Sequence, residues 1–402
     1  MTVGSFHTWL MNKRVQIDNK LVPVSKLWIA SDQRRQYEGI VFAPGYDNPA
    51  LYNLWQGFSV PPREGDCSRF LDHVRTNICQ GSEELFRWVI AWCAQIVQHP
   101  DEKTGTSLVL IGAQGTGKTI FGQVLGSLFE DHYFPVAEPR YITGHFNSHM
   151  VGCLLLQADE AFWAGDRTAE GRIKDLITGS WHPVEFKYVE PIKVANHIRL
   201  LVTSNNDWAV PAGVQERRFA VLRVGDQRRR DTGYFGALLK QMANGGRESL
   251  LHHLLHFDLS RVDLRQVPHT EELLEQQIQG LSPEESWWFD TLQRGKIRAR
   301  RDTENRTYCK DDVFNDYISH AGKVGVRRRS SEALLGKFLH KFVPTLKSER
   351  NRIFTFIKDD GETGEERRWG YVFSTLETCR QTFEQKLGQK VQWGDDERYW
   401  DH

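Results

Sequence analysis

The segment from residue 112 to residue 119 has the spacing of a phosphate-binding loop. Its sequence, GAQGTGKT, fits the Walker A pattern. Bare backbone N–H groups at such glycines surround a phosphate at a helix N-terminus, where the helix dipole favours anions. We expect Lys118 to reach the β- and γ-phosphates of a nucleoside triphosphate and Thr119 to offer its hydroxyl to Mg²⁺. The other predicted contacts are Gly112, Gln114, Gly115, Thr116 and Gly117.

The residues on either side are those that such a loop requires. Ser107 to Ile111 is an apolar run typical of a buried strand, and Thr119 to Phe129 has apolar residues at helical spacing. A strand, a glycine loop and a helix in this order argue against an ordinary glycine-rich turn, which is the alternative. The sequence therefore predicts an ATP site with Mg²⁺.

A second apolar run, Cys153 to Ala158, ends in two acids, Asp159 and Glu160. We expect this run to form a strand beside the P-loop strand and to deliver both acids to the ligand-binding edge of a parallel sheet. Asp159 would hold Mg²⁺, and Glu160 would orient and polarise the attacking water. A tandem acid pair fits hydrolysis better than transfer to a bound acceptor. The alternative is a solvated strand end.

Two further motifs follow downstream. The apolar run Arg199 to Thr203 is followed by Ser-Asn-Asn, where an amide would hydrogen-bond the water or the γ-phosphate, although these residues also suit a simple turn. In the run Glu216-Arg217-Arg218-Phe219, one arginine would act as a finger in the site of a neighbouring subunit. The alternative for this run is a surface ion pair.

Composition excludes several classes of protein. The chain has 402 residues, with 40% hydrophobic and 26% charged residues, which is ordinary for a soluble globular protein. No run approaches the 18 apolar residues of a membrane-spanning helix, and the first residues lack the layout of a secretion signal. The six cysteines are scattered without CxxC pairs, which favours a reducing cytoplasm, that of a bacterial or phage-infected cell.

The net charge of zero hides a local asymmetry. Between residues 294 and 358 there are 17 Lys and Arg against 7 Asp and Glu, and the whole chain has 13 tryptophans. A basic surface with interleaved aromatics suits a phosphate backbone and stacked bases, whereas a solvated basic face is the alternative.

Turn signals and periodicity divide the chain into five segments. We expect an irregular N-terminal extension (1–65), a helical segment (66–106), an α/β core with a parallel sheet covered by helices (107–225), a second helical segment (226–281) and a basic, winged-helix-like C-terminal domain (282–402). In the last segment, helices over 310–320 and 331–342 precede strands over 352–358 and 367–373. Ser330 is the predicted N-cap of the second helix. Trp287 and Trp288 are expected to pack a joint between domains.

The ordered set GAQGTGKT, LLLQADE, LLVTSNN and VPAGVQERRF resembles superfamily 3 helicases, above all the poxvirus-type primase-helicases of phages, plasmids and integrated elements. The resemblance implies an AAA+ core that forms a hexameric ring, with ATP sites between subunits, and translocates on single-stranded DNA. It makes Lys118, Asp159 and Glu160 catalytic, Asn205 the sensor, and Arg218, or alternatively Arg217, the arginine finger.

The family's additional motif corresponds to the stretch from Lys174 to Lys193. In relatives this region leads into a hairpin that projects into the channel of the ring and grips DNA. The resemblance therefore assigns DNA contact to Lys187, Tyr188 and Lys193, whose cationic and aromatic side chains suit phosphates and bases. An ordinary exposed hairpin is the alternative.

These observations predict a ring-forming, ATP-driven DNA helicase or translocase, a homo-hexamer on single-stranded or forked DNA, in replication of a phage, plasmid or integrated element. A 3′-to-5′ polarity is implied by the resemblance alone. About 106 residues precede the P-loop strand, too few for the primase or polymerase domain of larger relatives, so priming is expected from a separate protein unless the chain is a fragment. The alternatives are a DNA-stimulated ATPase of a defence or mobile-element system without processive unwinding, and an ATP-dependent DNA-binding initiator. The intact acid pair disfavours the initiator.

Overall fold

The computed structural model describes residues 2–138, 140–144, 147–160, 167–185, 190–214, 216–301, 306–343, 345–358, 362–394 and 400, without the side chains of residues 143, 167 and 168. The chain divides into two compact units, Met1–Gly57 and Phe58–His402. All of the predicted site residues belong to the second unit.

The first unit is built from short elements. Its sequence predicts an irregular extension, but the unit contains two helices and two small sheets. These elements are α1 (Val3–Trp9), β1 (Arg14–Ile17), β2 (Lys20–Pro23), α2 (Val24–Ala30), β3 (Gly39–Val41) and β4 (Leu51–Asn53). β1 pairs with β2 in antiparallel fashion and β3 with β4 in parallel. These strands have only three or four residues each, too few to show the alternation that predicts a strand.

Two helices precede the glycine loop in the second unit. They are α3 (Ser68–Asp72), which continues as a π-helical turn over His73–Ile78, and α4 (Glu83–Gln98). The hydroxyl of Ser82 accepts a hydrogen bond from the backbone N–H of Leu85 and so caps α4. Every residue of α4 from Trp88 to Val97 is buried, which makes this helix part of the core on all sides.

A parallel sheet with helical crossovers follows. Its segment contains β5 (Ser107–Ile111), α5 (Lys118–Gly126), β6 (Tyr133–Val136), α6 (Arg140–Thr143), β7 (Leu155–Asp159), α7 (Arg167–Thr178), β8 (Trp181–Val184), β9 (Ile192–Ala195), β10 (Arg199–Ser204) and β11 (Phe219–Arg223). Five of these strands form the sheet in the order β11-β5-β10-β7-β6, and all neighbours are parallel. The predicted α/β class with a parallel sheet is confirmed.

The order of these strands corrects one prediction. The acid-bearing strand β7 was expected beside the P-loop strand β5, but β10 lies between them and pairs with both. The position of β10 brings the residues after Ser204 between the glycine loop and the two acids. Strand order depends on tertiary packing rather than on local pattern, so the apolar runs predict the strands without predicting which ones are neighbours.

The remaining elements complete the second unit, and those after residue 282 share a hydrophobic core. They are α8 (Thr232–Gln241), α9 (Arg247–Leu255), α10 (Glu271–Gln279), α11 (Pro283–Arg294), β12 (Thr307–Cys309), α12 (Lys310–Lys323), α13 (Glu332–Phe342), β13 (Lys347–Ile357), β14 (Thr363–Val372) and α14 (Leu376–Leu387). The strands form an antiparallel sheet in the order β12-β14-β13. The two predicted helices and two predicted strands of this region are present, and both strands begin earlier than predicted.

One prediction in this region is wrong in detail. The N-cap of α13 is Ser331 rather than Ser330, whose backbone N–H instead donates to the Tyr317 hydroxyl. Trp287 and Trp288 lie in a hydrophobic cluster that combines C-terminal residues with Val214, and Leu274 and Leu281 pack against it. Both are buried in the C-terminal hydrophobic core, and the indole N–H of Trp287 donates to Asp316 at 3.1 Å. Local sequence predicts that these rings are buried but not which core receives them.

Candidate nucleotide site

The loop between β5 and α5 has a backbone that requires glycine. Gly112, Gly115 and Gly117 adopt φ angles of 143°, 82° and 92°, in the region that side chains rarely occupy. A Cβ on Gly117 would also lie 2.6 Å from ring atoms of both His73 and Phe235. The backbone conformation therefore explains why these three positions of the Walker A motif are glycines. The loop leads directly into the first turn of α5.

Residues from the π-helical turn support the loop from below. The side-chain amide of Asn77 donates to the carbonyl of Thr116 at 2.7 Å, and the His73 ring donates to the carbonyl of Gly117 at 3.4 Å. Burial lowers the pKa of His73 to about 4, so this ring is neutral at physiological pH. On the other side, the backbone N–H of Arg230 donates to the carbonyl of Gly115 at 2.9 Å. Sequence analysis missed these three supports.

Lys118 is folded across the loop. Its ammonium group donates to the carbonyls of Gly112 and Ala113 at 2.7 and 2.8 Å and to Oδ1 of Asn205 at 3.0 Å. Burial lowers the pKa of Lys118, and the carboxylates of Asp226, Asp159 and Glu160 oppose this effect. Three hydrogen bonds thus hold the ammonium group of Lys118 at the mouth of the loop.

Asn205 joins the loop to the second acid. While its Oδ1 accepts from Lys118, its Nδ2 donates to Oε1 of Glu160 at 2.8 Å. Glu160 itself has a φ of 54°, an unusual angle for a residue with a side chain, and its backbone N–H donates to the carbonyl of Thr203 at 2.7 Å. Two of the predicted catalytic side chains, Lys118 and Glu160, therefore form one hydrogen-bonded group with the predicted sensor.

Asp159 is oriented by a separate chain of hydrogen bonds. The hydroxyl of Thr203 and the Nε2 of Gln157 both donate to its Oδ1, the latter at 2.8 Å. The hydroxyl of Tyr133 in turn donates to Oε1 of Gln157 at 2.6 Å. Among the described residues, the other carboxylate oxygen of Asp159 receives no hydrogen bond. These hydrogen bonds therefore orient Oδ1 of Asp159 and leave Oδ2 available to a ligand.

These groups line a cavity of about 640 Å³, a size typical of small-molecule sites. The glycine loop, Thr119, Asp159, Glu160 and Asn205 form one wall, and Phe235, Gly236 and Leu239 of α8 contribute an apolar wall. No side chain caps α5 at Gly117, and the first residues of this helix line the cavity. The backbone N–H groups of the first turn therefore lack a capping side chain. Within the described ranges, no cluster of three or more His, Cys, Asp or Glu side chains could hold a metal ion by itself.

Arg217 and Arg218 lie at the opposite end of the parallel strands from the glycine loop. They precede β11, whose first residue pairs with Ser107 at the start of β5, whereas the glycine loop follows the end of β5. A five-residue strand spans roughly 16 Å, so neither guanidinium is beside the cavity of its own chain. The buried Glu216 accepts hydrogen bonds from both backbone N–H groups and from the Arg218 side chain at 3.3 Å. The structure therefore separates the arginines from the other predicted residues.

A hairpin is present in the predicted region as β8 and β9, which pair in antiparallel fashion. Lys193 lies on β9 opposite Pro183, and its ammonium group is 5.1 Å from the ring centroid of the exposed Trp181. Lys187 and Tyr188 fall in the segment 186–189, outside the described residues. Trp181, an aromatic at the start of the hairpin, was missed by the sequence analysis.

The base of this hairpin is tied to the core. The amide of Asn196, just after β9, donates to the carbonyls of Leu176 and Gly179, both at 2.9 Å. Lys103 donates to the carbonyl of Leu176 at 2.6 Å. Burial, with a smaller contribution from the charge of Arg199, lowers the pKa of Lys103 to about 7.

All six cysteines are free thiols and are buried. None of the described helices has the length and apolarity needed to cross a membrane.

Comparisons with known proteins place these features in context. The profile of DUF5906, a family of unknown function, matches residues 110–218, a span that holds every predicted site residue. The DNA primase-polymerase of Nitratiruptor phage NrS-1 is 23% identical over 214 residues, which is 50% of this chain and 29% of that protein. The chain thus spans less than a third of the length of this curated relative.

Solved structures resemble the chain over nearly its full length. The A-form apo structure of the NrS-1 C-terminal region has a TM-score of 0.63 at 14% identity, covering 92% of this chain and 98% of that one. A second apo structure of the same region has a TM-score of 0.58 at 15% identity, covering 96% and 90%. At these identities the likeness establishes a shared fold, which is that of the C-terminal region of a phage replication protein.

Proposed function

We propose that this chain is an ATP-dependent DNA helicase or translocase that assembles as a ring and acts in replication of a phage, plasmid or integrated element. The observation that carries the proposal is the group formed by Lys118, Asn205 and Glu160 at the mouth of the glycine loop. A phosphate-binding lysine, a polar sensor and a carboxylate in mutual hydrogen-bond contact are the parts that hydrolysis of a γ-phosphate requires.

The cavity suits a triphosphate with Mg²⁺. The N-terminus of α5 and the glycine loop present backbone N–H groups to the phosphates, and Lys118 exchanges its carbonyl partners for phosphate oxygens. Thr119 and Asp159 would hold Mg²⁺, which neutralises phosphate charge when bound. Two protein ligands are enough, because Mg²⁺ usually keeps waters and binds substrate phosphates as well.

Glu160 is the proposed general base. It takes a proton from the attacking water as the water oxygen bonds to the γ-phosphorus, and ADP leaves with the electron pair of the broken P–O bond. Asn205 holds the Glu160 carboxylate in place through its Nδ2, and its Oδ1 accepts from Lys118, the residue that would bind the γ-phosphate. Hydrolysis is thereby sensed by a residue that also contacts the base.

Arg217 or Arg218 completes the site of a neighbouring subunit. Both lie at the end of the strands that is remote from the cavity of their own chain, so they can contact only an ATP that is bound to another chain. Such a contact is head to tail, and repeating it closes a ring when the rotation permits. A homo-hexamer follows from the resemblance to superfamily 3 helicases, and the hairpin β8–β9 would contact DNA in the channel.

The replication context rests on the comparisons. The relative from phage NrS-1 is a DNA primase-polymerase, and the similar structures are of its C-terminal region. We infer that this chain acts beside a priming or polymerising activity, on single-stranded or forked DNA.

Two measurements on the full chain test the proposal. Phosphate release from ATP, with and without single-stranded DNA, should occur and should be lost in Lys118→Ala but kept in Lys240→Ala, a control on an exposed lysine of α8. Strand displacement on forked DNA should require ATP. Absence of phosphate release refutes the proposal, and DNA-stimulated release without displacement supports the alternative of an ATPase that does not unwind.

The hairpin has its own test. Lys193→Ala should leave phosphate release in the absence of DNA unchanged and should weaken its stimulation by single strands, because the variant removes a phosphate contact outside the cavity. Stimulation equal to that of the wild type would reject a DNA role for this residue.

A further inference from the structure

The antiparallel pair β13 and β14 carries a tryptophan, Trp369 on β14, that the fold does not bury. Trp369 is 44% exposed, whereas Trp287, Trp288 and Trp400 of the adjacent core are at most 1% exposed. A single exposed aromatic needs no special explanation. The groups that surround Trp369, however, are arranged around its ring.

Two cations lie over the Trp369 ring. The ammonium nitrogen of Lys310 is 4.6 Å from the ring centroid, and the guanidinium carbon of Arg350 is also 4.6 Å from it. Lys310 is in addition 4.4 Å from the ring centroid of Tyr371, which is two residues further along β14 and so on the same face. This face combines aromatic surface with ordered positive charge.

The backbone is distorted where Arg350 approaches the ring. The register of β13 against β14 shifts between Glu349 and Arg352, so Arg350 and Asn351 form a bulge opposite Trp369. Asn351 has a φ of 56°, in the left-handed region. Both bulge residues are exposed, so core packing does not account for the distortion. Bulges re-aim side chains and are over-represented beside functional sites.

Two acids, Asp311 and Glu332, lie beside Lys310 and Trp369, but the cations of this face are not paired with them. Within the described part of the chain, Lys310, Lys337 and Arg350 form no ion pair with a carboxylate. Lys337 lies with Lys310 and Tyr371 around an open hollow between α13 and β14, and Glu332 is the acid at its rim. Cations that lie against exposed aromatic rings and form no ion pair with a carboxylate are suited to an anionic ligand that also has flat apolar groups.

We propose that this wing face, defined as Lys310, Lys337, Arg350, Trp369 and Tyr371, binds a single-stranded segment of nucleic acid. An unpaired base stacks on Trp369 in the place of one of the two cations that cover its ring, and the displaced cation contacts a neighbouring phosphate together with the other cations of the face. A duplex fits less well, because its bases are stacked on each other and expose only their edges. The wing face lies on other elements than the ATP cavity and the hairpin β8–β9, so binding there requires no nucleotide.

Fluorescence anisotropy of a labelled oligothymidylate with the full chain, in the absence of nucleotide, tests the proposal. Trp369→Ala should weaken binding about tenfold, the effect of losing one stacked base, and Trp369→Phe should retain most of the affinity. Arg350→Glu and Lys337→Glu should each weaken binding and reduce the steepness of its salt dependence by about one unit. A duplex of the same length should respond less to Trp369→Ala.

Matched controls exclude indirect effects. Trp28→Ala removes another exposed tryptophan, 48% exposed, from the first unit, and Arg87→Glu reverses an exposed charge on α4. Both should bind as the wild type does, and all variants should melt at the wild-type temperature. The series is repeated in a Lys193→Ala background, so that DNA binding by the hairpin β8–β9 does not mask a loss of binding at the wing face.

Three results would overturn the proposal. They are no binding of the single strand by the wild type, unchanged binding by Trp369→Ala and Arg350→Glu in both backgrounds, and a loss confined to the duplex. Because no ATP is present, these outcomes are independent of whether the chain hydrolyses ATP.

Discussion

The side-chain amide of Asn205 donates a hydrogen bond of 2.8 Å to the carboxylate of Glu160. The same amide accepts one from Lys118 through its oxygen, so a residue after β10 bridges the loop after β5 and the acid after β7. This bridge exists because β10 lies between the other two strands. The bridge connects the predicted phosphate-binding lysine with the predicted general base.

Replacing Asn205 should therefore separate binding from turnover. In Asn205→Ala we expect ATP affinity within a few-fold of the wild type, because the loop and Lys118 remain, and turnover lower by about a hundredfold, because Glu160 is no longer held. Steady-state phosphate release and equilibrium binding of a labelled nucleotide measure the two effects. The neighbouring exposed Asn206→Ala is the matched control. Equal turnover in both variants would reject the bridging role.

The chain Tyr133–Gln157–Asp159 should set the Mg²⁺ requirement. Gln157→Leu and Tyr133→Phe remove hydrogen bonds that orient Asp159, so we expect the Mg²⁺ concentration for half-maximal turnover to rise about tenfold. The double variant should be no worse than Gln157→Leu, because Tyr133 acts through Gln157. A lower maximal rate with an unchanged Mg²⁺ requirement would contradict this account.

Arg217 and Arg218 lie far from the cavity of their own chain, which predicts that two inactive variants can complement each other in a mixed assembly. Lys118→Ala lacks a working loop, whereas Arg218→Ala lacks the finger that it would give to a neighbour. Each should be inactive alone, and an equal mixture should regain activity at about one in four interfaces. The mixture with Arg217→Ala in place of Arg218→Ala identifies which arginine acts. If neither mixture regains activity, the arginines do not complete the site of a neighbouring chain.

Lys103 should make folding stability depend on pH. Its pKa of about 7 in the folded chain is below the ordinary value of 10.5, so between these limits the unfolded chain holds a proton that the folded chain lacks. Stability attributable to Lys103 therefore falls as the pH decreases through this window, by up to about 1.4 kcal/mol per pH unit, and levels off below pH 7.

Denaturant unfolding near pH 7.5 and pH 9 measures this effect. Relative to Lys103→Met, which keeps the aliphatic stem, the wild type should gain up to about 2 kcal/mol at the higher pH. Lys240→Met, at an exposed lysine, should follow the wild type at both. A wild-type pH dependence identical to that of Lys103→Met would show that this ammonium is not desolvated.

Much of the core was predictable because its signals are local. A strand buried on both faces has a continuous apolar run, and the predicted run Ser107–Ile111 matches β5 residue for residue. The glycine loop is likewise predictable, since positive φ angles at Gly115 and Gly117 restrict those positions to glycine.

The supporting residues were not predictable, since they act across long separations in sequence. His73 and Asn77 contact the loop about 40 residues downstream, and no local pattern marks them. Gln157 offered a signal: a polar residue inside an otherwise apolar strand must be hydrogen-bonded when buried. Its partners depend on strand order, which local sequence does not specify.

Phosphate release by Glu160→Gln tests the central claim most directly. The substitution keeps the size and the hydrogen-bonding capacity of the side chain but removes the base, so labelled-nucleotide binding should stay at the wild-type level while turnover falls at least about a hundredfold. Turnover at the wild-type rate in this variant would contradict the claim that this site hydrolyses ATP through Glu160.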